Sequence, residues 1–531
     1  MKPFPKTEMA ENGMVVAPHH SAADAGLNIL KSGGNAIEAA IATAASLSVH
    51  YPHMTGIGGD AFWLIYDPEE GVSFIDASGY SGGEVKPEIY SDVSDIPFRG
   101  KLAANTVAGA VSAWSLAYEK SQANWQGSMS ASQLMSEAVL AAENGTTVTA
   151  SLAETLKDKA NELQLDPFFA DVYYPQGNTP RAGESLIQAA LGNTLKTIGE
   201  KGFDDFYRGQ VSEDIAFDFA HRQGLITHDD LKNHHAKWQP YLELETSHAT
   251  LFNASAPTQG VASLMILGLF DRWVEKLPDI DSADYVHLLV EATKIAFSHR
   301  NRMDTSATPE ELQAWLTPDY LDQLSEQIDL NKARPWGEQT SPGDTTWFGA
   351  IDSKGRVVSA IQSIYHEFGS GFMLPKTGVV WQNRGCSFSL DPTNVRALAP
   401  HKKPFHTLNP AIALFKDGRV MAYGTMGGDG QPQTQAAVFS RYAYYGEDIQ
   451  TAINKPRWLL GRTWGNSSET LKLESRFPDS FSLILREKGH DFEWLSSLDS
   501  SVGHAGALIR HTSSTIEGAY DPRSDGKSSG F

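Results

Sequence analysis

Four times along this chain two β-rich runs stand a few turn residues apart, and that repeated grammar constrains the fold more than any single residue does. FWLIY and VSFI flank DPEEG; WFGAI and RVVSAIQ flank DSKG; AIALF and RVMAYG flank KDG; GALIRH and TIEGAY flank a serine-rich tip. Branched and aromatic residues on either side of Pro, Gly, Asp or Ser predict hairpins, and therefore antiparallel strands. Long helical stretches lie between them. From Asn35, NAIEAAIATAASLSV puts Ile37, Ile41, Ala44 and Ala45 on one face, with Asn35 as N-cap and Glu38 three residues on, which predicts an amphipathic helix. DYVHLLVEATKIAF repeats the period through Val286, Leu289, Val290, Thr293 and Phe297, and helical periodicity dominates from Ala131 to Asp329. Hairpins together with long helices point to an α+β chain, antiparallel sheets covered by helices, and not to a series of βαβ units. The stretch NKARPWGEQTSPGD, Asn331 to Asp344, has no period and reads as an exposed linker.

Composition removes several classes of function. The 531 residues are 41% hydrophobic, as in a globular protein, and Lys+Arg 43 against Asp+Glu 64 gives a net charge of -21. Such a charge repels nucleic-acid phosphates and anionic membranes, so neither is an expected partner. The single cysteine, Cys386, excludes an intramolecular disulfide framework and a thiolate metal cluster, and is expected to be a buried structural thiol. The first residues, MKPFPKTEMAENG, hold no apolar core of signal-peptide length, and GVASLMILGLF from Gly260 is too short to span a bilayer. The expected location is the cytoplasm.

Among motifs, GYSGG from Gly79 matches the G-x-S-x-G elbow in form, but the residues after it carry Pro87 and Pro97 and no helical stripe, so a glycine-rich loop is the better reading. GIGGD (Gly56 to Asp60) and GTMGGDGQPQ (Gly424 to Gln433) lack the lysine and spacing of phosphate loops, although closely spaced backbone N–H groups bind any developing oxyanion. His19, His20, His50 and His53 sit outside any metal-binding helix motif and are expected to pack near the first helix, so no metal or other cofactor is expected. Thr345 and Thr346 follow Gly-Asp and open a strand-like run. Read locally they are β-branched residues starting a strand, yet a threonine freed at a chain's N-terminus gains its own α-amine as a base.

In order along the chain, GMVVAPHHSAADAGLNILKSGGNAIEAAIATA, GIGGDAFWLIY, GDTTWFGAIDSKGRVVS, GTMGGDGQ and YDPRSDGKSSG resemble the γ-glutamyltransferase family of N-terminal-nucleophile hydrolases over nearly the whole length. The resemblance implies a four-layer αββα sandwich. It also implies a proenzyme cut between Asp344 and Thr345, giving segments 1–344 and 345–531 that stay together as a heterodimer within one structural unit. Carried over, Thr345 is the nucleophile and base, Ser363 a second hydroxyl bonded to it, and Gly427 and Gly428 the oxyanion-hole pair.

The departures from the family pattern concern the acyl pocket. Ser78 lies near the place of the arginine that holds the glutamyl carboxylate. Arg384 replaces a neutral or acidic residue and Ser387 an aspartate. Tyr365 stands for the usual asparagine, and His406 with Thr407 for paired serines. Losing an acid and gaining a cation removes a partner for an ammonium and supplies one for an anion. These changes resemble the branch that includes oxamate amidohydrolases and glutaryl-type cephalosporin acylases. The expected substrate is a small amide with an anionic acyl group, oxamate first. γ-Glutamyl transfer or glutathione hydrolysis, and a silent unprocessed binding protein, stand as alternatives.

Overall fold

The computed structural model describes residues 3–277, 279–303, 306–337, 343–462 and 468–531. Two seven-stranded sheets, antiparallel at every pairing, lie face to face among these residues. The first runs, edge to edge, through Lys527–Gly530, Met14–Ala17, Thr346–Ile351, Val357–Ser363, Asp60–Asp67, Gly71–Ala77 and Lys237–Gln239. The second runs through Glu8–Ala10, Ile516–Tyr520, Ala505–Arg510, Val420–Thr425, Ala411–Phe415, Ala249–Ala254 and Tyr241–Glu245. All four expected hairpins are present.

Strand alternation explains the layering. Phe62, Leu64, Trp347 and Ile361 point inward and meet Phe252, Ile412, Ala422 and Leu508 of the other sheet, forming a core between the sheets. Their neighbours Trp63, Ile65, Phe348 and Ala360 point outward into a second core under the helix Ala36–His50. Leu251, Ala413, Met421 and Ile509 do the same on the far side, under the helices Gly260–Asp271, Ala283–Phe297 and Gln431–Tyr445. Strands with both faces buried need apolar residues at both parities. The result is the four-layer αββα sandwich that the resemblance implies.

The helix Ala36–His50 begins with the expected capping box: Asn35 Oδ1 accepts from the amides of Ile37 and Glu38, and Glu38 Oε2 accepts from Asn35 N at 2.9 Å. It is not amphipathic, however. Ala36 through Val49 are all buried, because the helix is enclosed on several sides, by the first sheet, the helix His20–Lys31 and the helix Ala131–Asn144. A helix under pressure from every side reads as apolar all round. The buried Glu38 is held by the amides of Asn35 and Met129, and burial raises its carboxyl's pKa.

Three further expectations need correction. The helical middle of the chain also holds the strands Lys237–Gln239, Tyr241–Glu245 and Ala249–Ala254, which close one edge of each sheet. In the linker, residues 338–342 lie outside the described ones, but its end is not exposed: Asp344 is buried at 4% exposure. Cys386 is only partly buried, its Sγ donates to Pro97 O at 3.1 Å, and desolvation pushes the thiol up to about 12. Among the described residues no helix is long and apolar enough to cross a membrane.

Candidate functional site

Hairpin register assembles the centre of the site. Thr346 pairs with Gln362 and Ser363 pairs with Asp60, so Thr345, one residue before its strand, stands beside Ser363 at one end of the first sheet. Thr345 Oγ1 and Ser363 Oγ both donate to the carbonyl oxygen of Asp344, each at 2.5 Å. Tyr365 N donates to Ser363 Oγ at 2.8 Å, and Asp344 N donates to Tyr365 O at 2.7 Å, which fixes the carbonyl from both ends. Thr345 is 2% exposed, so the peptide between Asp344 and Thr345 is withdrawn from solvent in the continuous chain.

Gly427 and Gly428 lie against this peptide. Their φ values of 122° and 53° are both left-handed, a conformation that only glycine adopts without strain at consecutive positions. A Cβ on Gly343 would fall 3.4 Å from the Cα of Gly428 and 3.1 Å from the Tyr365 ring, so the segment before the scissile bond presses on the loop. Beneath it, a Cβ on Gly503 would meet Thr425 Oγ1 at 2.5 Å and Met426 O at 2.8 Å. Gln259 Nε2 binds the carbonyls of Gly428 and Thr407, at 2.9 and 3.0 Å. Asp429 pairs with Arg300 at 2.5 Å, both buried. The loop is thus pinned by its carbonyls and its acid.

The acyl-pocket candidates divide into two groups. Arg384 is buried with its guanidinium carbon 3.6 Å from the Tyr365 ring centre, and its Nε and Nη1 have no hydrogen-bond partner among the described residues. Tyr365 itself adopts φ of 81° and touches both Gly343 and Arg384. His406 is fully buried with neither ring nitrogen hydrogen-bonded among the described residues, and Asp60 Oδ2 lies 3.5 Å from its Nε2. Burial first, and Arg384 next, hold His406 well below its ordinary pKa. The remaining candidates hold structure. Ser387 Oγ donates to Phe405 O at 3.2 Å, Ser78 Oγ to Asp76 Oδ1 at 2.6 Å, and the Thr407 carbonyl accepts from Gln259 and Asn409.

A cavity of about 380 Å³ opens onto the same peptide, lined by Gly343, Asp344, Gly427, Met426, Lys159 and His504 among others. Arg384 is not in its lining, so the cation stands on another side of the segment 343–345.

Asp60, Gln259, Arg300 and Asp429 went unassigned in the sequence. Asp60 and Asp429 each follow a Gly-Gly pair in a motif already singled out, and a charge directly after two glycines was the available signal. Gln259 and Arg300 carry no local signal at all.

The histidines gather at the start of the first helix, as expected. His19 stacks on His20 and His50, and Tyr51 packs against His53. Burial lowers His19 to about 2, His53 to about 3 and His504 to about 4. Unfolded histidines bind protons from about pH 6.5 downward while these stay neutral, so the unfolded state gains protons and stability falls on acidification. The loss is about 1.4 kcal/mol per pH unit for each group. Asp60 opposes with one group, since its folded carboxyl, raised to about 7, binds a proton before an unfolded one does. These three, with His50, His234 and His490 lowered likewise by burial, outweigh Asp60. The melting temperature is expected to drop from pH 6.5 to pH 5, and to drop less for His53→Gln; parallel curves would place the acid sensitivity elsewhere.

His287, Glu291 and His490 come within ligand distance of one another. Their atoms are already engaged: His287 Nδ1 with His490 Nε2 at 2.7 Å, and Glu291 with Lys294 Nζ and the Arg334 amide at 2.7 and 2.9 Å. They form a closed hydrogen-bond network.

A family model described as gamma-glutamyltranspeptidase matches residues 22–531. The chain is 49% identical, over 99% of both chains, to the oxamate amidohydrolase proenzyme of Klebsiella pneumoniae. It is 36% identical, over 99% of this chain and 100% of the other, to the glutathione hydrolase-like YwrD proenzyme of Bacillus subtilis. The crystal structure of a cephalosporin acylase from Bacillus halodurans superposes with a TM-score of 0.89 at 29% identity, covering 100% of this chain and 98% of that one.

Proposed function

Because the chain belongs to the gamma-glutamyltranspeptidase family, we propose that it is an autoprocessing amidohydrolase with Thr345 as nucleophile and a small amide of an anionic acyl group, oxamate first, as substrate. One observation carries this: two hydroxyls, from Thr345 and Ser363, meet on the buried Asp344 carbonyl beside the Gly427–Gly428 loop. In maturation, Thr345 Oγ1 attacks the Asp344 carbonyl carbon and the amide becomes an ester. That shift breaks the C–N bond and frees the Thr345 amine, which takes the Oγ1 proton; water then cleaves the ester and leaves the Asp344 carboxylate and the Thr345 hydroxyl. Strands of the segment 1–344 pair with strands of 345–531 in both sheets, as Met14–Ala17 does with Thr346–Ile351 and Ala249–Ala254 with Ala411–Phe415, so the two products remain one heterodimer.

In turnover the freed amine takes the Oγ1 proton, Oγ1 attacks the substrate amide, and the Gly427 and Gly428 amides bind the oxyanion. Ammonia leaves with the proton, and water resolves the acyl ester; oxamate and water give oxalate and ammonium. Arg384 supports the anionic acyl group, since its two unpartnered nitrogens suit a carboxylate and disfavour the ammonium of a γ-glutamyl group. The name of the Klebsiella relative points the same way.

Kinetics with oxamate and with a γ-glutamyl anilide test the assignment. Oxamate is expected to have a kcat/KM about 10²-fold or more above the anilide, the discrimination that an unmatched buried charge produces. Turnover of the anilide with none of oxamate would overturn it in favour of γ-glutamyl chemistry.

A further inference from the structure

Asp60 opens the strand that pairs with the Ser363 strand, and the register sets it directly opposite Ser363. Residues opposite each other in an antiparallel pair share a face, here the face toward the other sheet, where Phe62 two residues on packs edge-on against His406. The two carboxyl oxygens differ. Oδ1 accepts from the amides of Gly79 and Gly109, both at 3.0 Å, and so ties two loops together. Oδ2 makes no hydrogen bond of good geometry among the described residues, although the Gln382 side chain pulls on the carboxyl, and it lies 3.5 Å from His406 Nε2, which is not hydrogen-bonded among them either.

Asp60 Oδ2, both His406 nitrogens, and Arg384 Nε and Nη1 are therefore five buried polar atoms without hydrogen bonds among the described residues, on side chains that interact electrostatically. Most buried polar atoms in folded proteins are satisfied, so such a concentration marks a place built for something else. Water can fill hydrogen-bonding positions there, but water does not balance charge. Other ionisable groups around Asp60 are committed. Lys403 is bound to Asp76 at 2.6 Å, and Tyr207 donates to Ala108 O at 2.9 Å. Burial raises the Asp60 carboxyl to about 7, outweighing the pull of Gln382, the two amides and Lys403.

We propose that Asp60 is a specificity-determining residue of the acyl pocket: when an anionic acyl group settles against Arg384, Oδ2 of Asp60 takes a proton from solvent, so the anion enters with one proton. The inference rests on the anionic-acyl reading of Arg384 above. Of the two acids that act on Arg384, Asp429 is paired with Arg300; Asp60 ionised opposes the binding of an anion at Arg384, whereas Asp60 protonated leaves the Arg384 charge to it and Oδ2–H can donate. Anion affinity is accordingly highest below pH 7 and falls about tenfold per pH unit above it.

Calorimetric titration of the processed protein with oxalate, in HEPES and in Tris at pH 8, counts protons from the difference in buffer ionisation heat. The wild type is expected to take up close to one proton per oxalate and to lose affinity about tenfold per unit between pH 7 and pH 9. Asp60→Asn keeps an Oδ1 acceptor for the two loop amides. It is expected to take up none and to bind oxalate equally at pH 6 and pH 9. The rival titrating group, the Thr345 amine, remains in the variant, so uptake that persists there overturns the proposal. Asp60→Ser serves the same purpose if the Asn variant does not fold, and pH-independent affinity in the wild type overturns the proposal alone. Oxalate bound without a proton defeats the role of Asp60 and leaves the oxamate reading standing. Glutarate bound with one proton where oxalate does not bind supports Asp60 and defeats oxamate. Binding of neither anion defeats both.

Discussion

Thr345→Ala is expected to stay a single chain and to lose amide hydrolysis by at least about 10⁴-fold, the scale on which removing a nucleophile abolishes covalent catalysis. Thr345→Ser, which keeps the hydroxyl, is expected to cut itself and turn over more slowly. The structure gives the reason. Thr345 Oγ1 bonds to the carbonyl oxygen of the peptide proposed to be cut, so alanine removes the hydroxyl that the proposal makes the acyl carrier in both reactions. It leaves the fold intact, because the strand that follows is held by its pairing with Val357–Ser363 and Met14–Ala17. A cut, active Thr345→Ala protein would assign the nucleophile to another residue, Ser363 being the nearest hydroxyl.

Arg384→Met is expected to raise stability and damage binding at once. A buried guanidinium with two unpaired nitrogens pays a desolvation cost that its stacking on Tyr365, worth about 2 kcal/mol, only partly offsets. Methionine fills a similar length without charge, so the melting temperature should rise. The KM for oxamate should rise roughly 10²-fold or more, the effect of removing one member of a buried charge pair, while kcat changes less. Lysine is not expected to rescue binding, since it lacks the planar fork that grips a carboxylate. Lower stability with an unchanged KM would make Arg384 a structural residue.

What the sequence made legible was local. Each hairpin joins two β-rich runs across a short turn, and the Asn35–Glu38 capping box spans four residues, so a short window contains both partners. The Thr345–Ser363 contact follows from one such hairpin, because register within a tight pair leaves little freedom. Tyr241–Glu245 also alternates, with Leu242 and Leu244 buried and Glu243 and Glu245 exposed, but five residues between long helices were read with their neighbours. The enclosure of the helix Ala36–His50 depends on elements far away in sequence. The same holds for the site: Asp60 with His406 is joined by packing of the two sheets, Gln259 with Gly428 by two strands of the second sheet, and Arg300 with Asp429 by a helix packed on that sheet. No period or motif records a contact across more than a hundred residues.

The intact mass of the purified wild type, with the N-terminal sequence of each fragment, tests the central claim most directly. The account predicts two fragments held together, the smaller beginning Thr-Thr-Trp at Thr345. An undivided chain that hydrolyses oxamate, or a cut that leaves Thr345 inside a fragment, would contradict it.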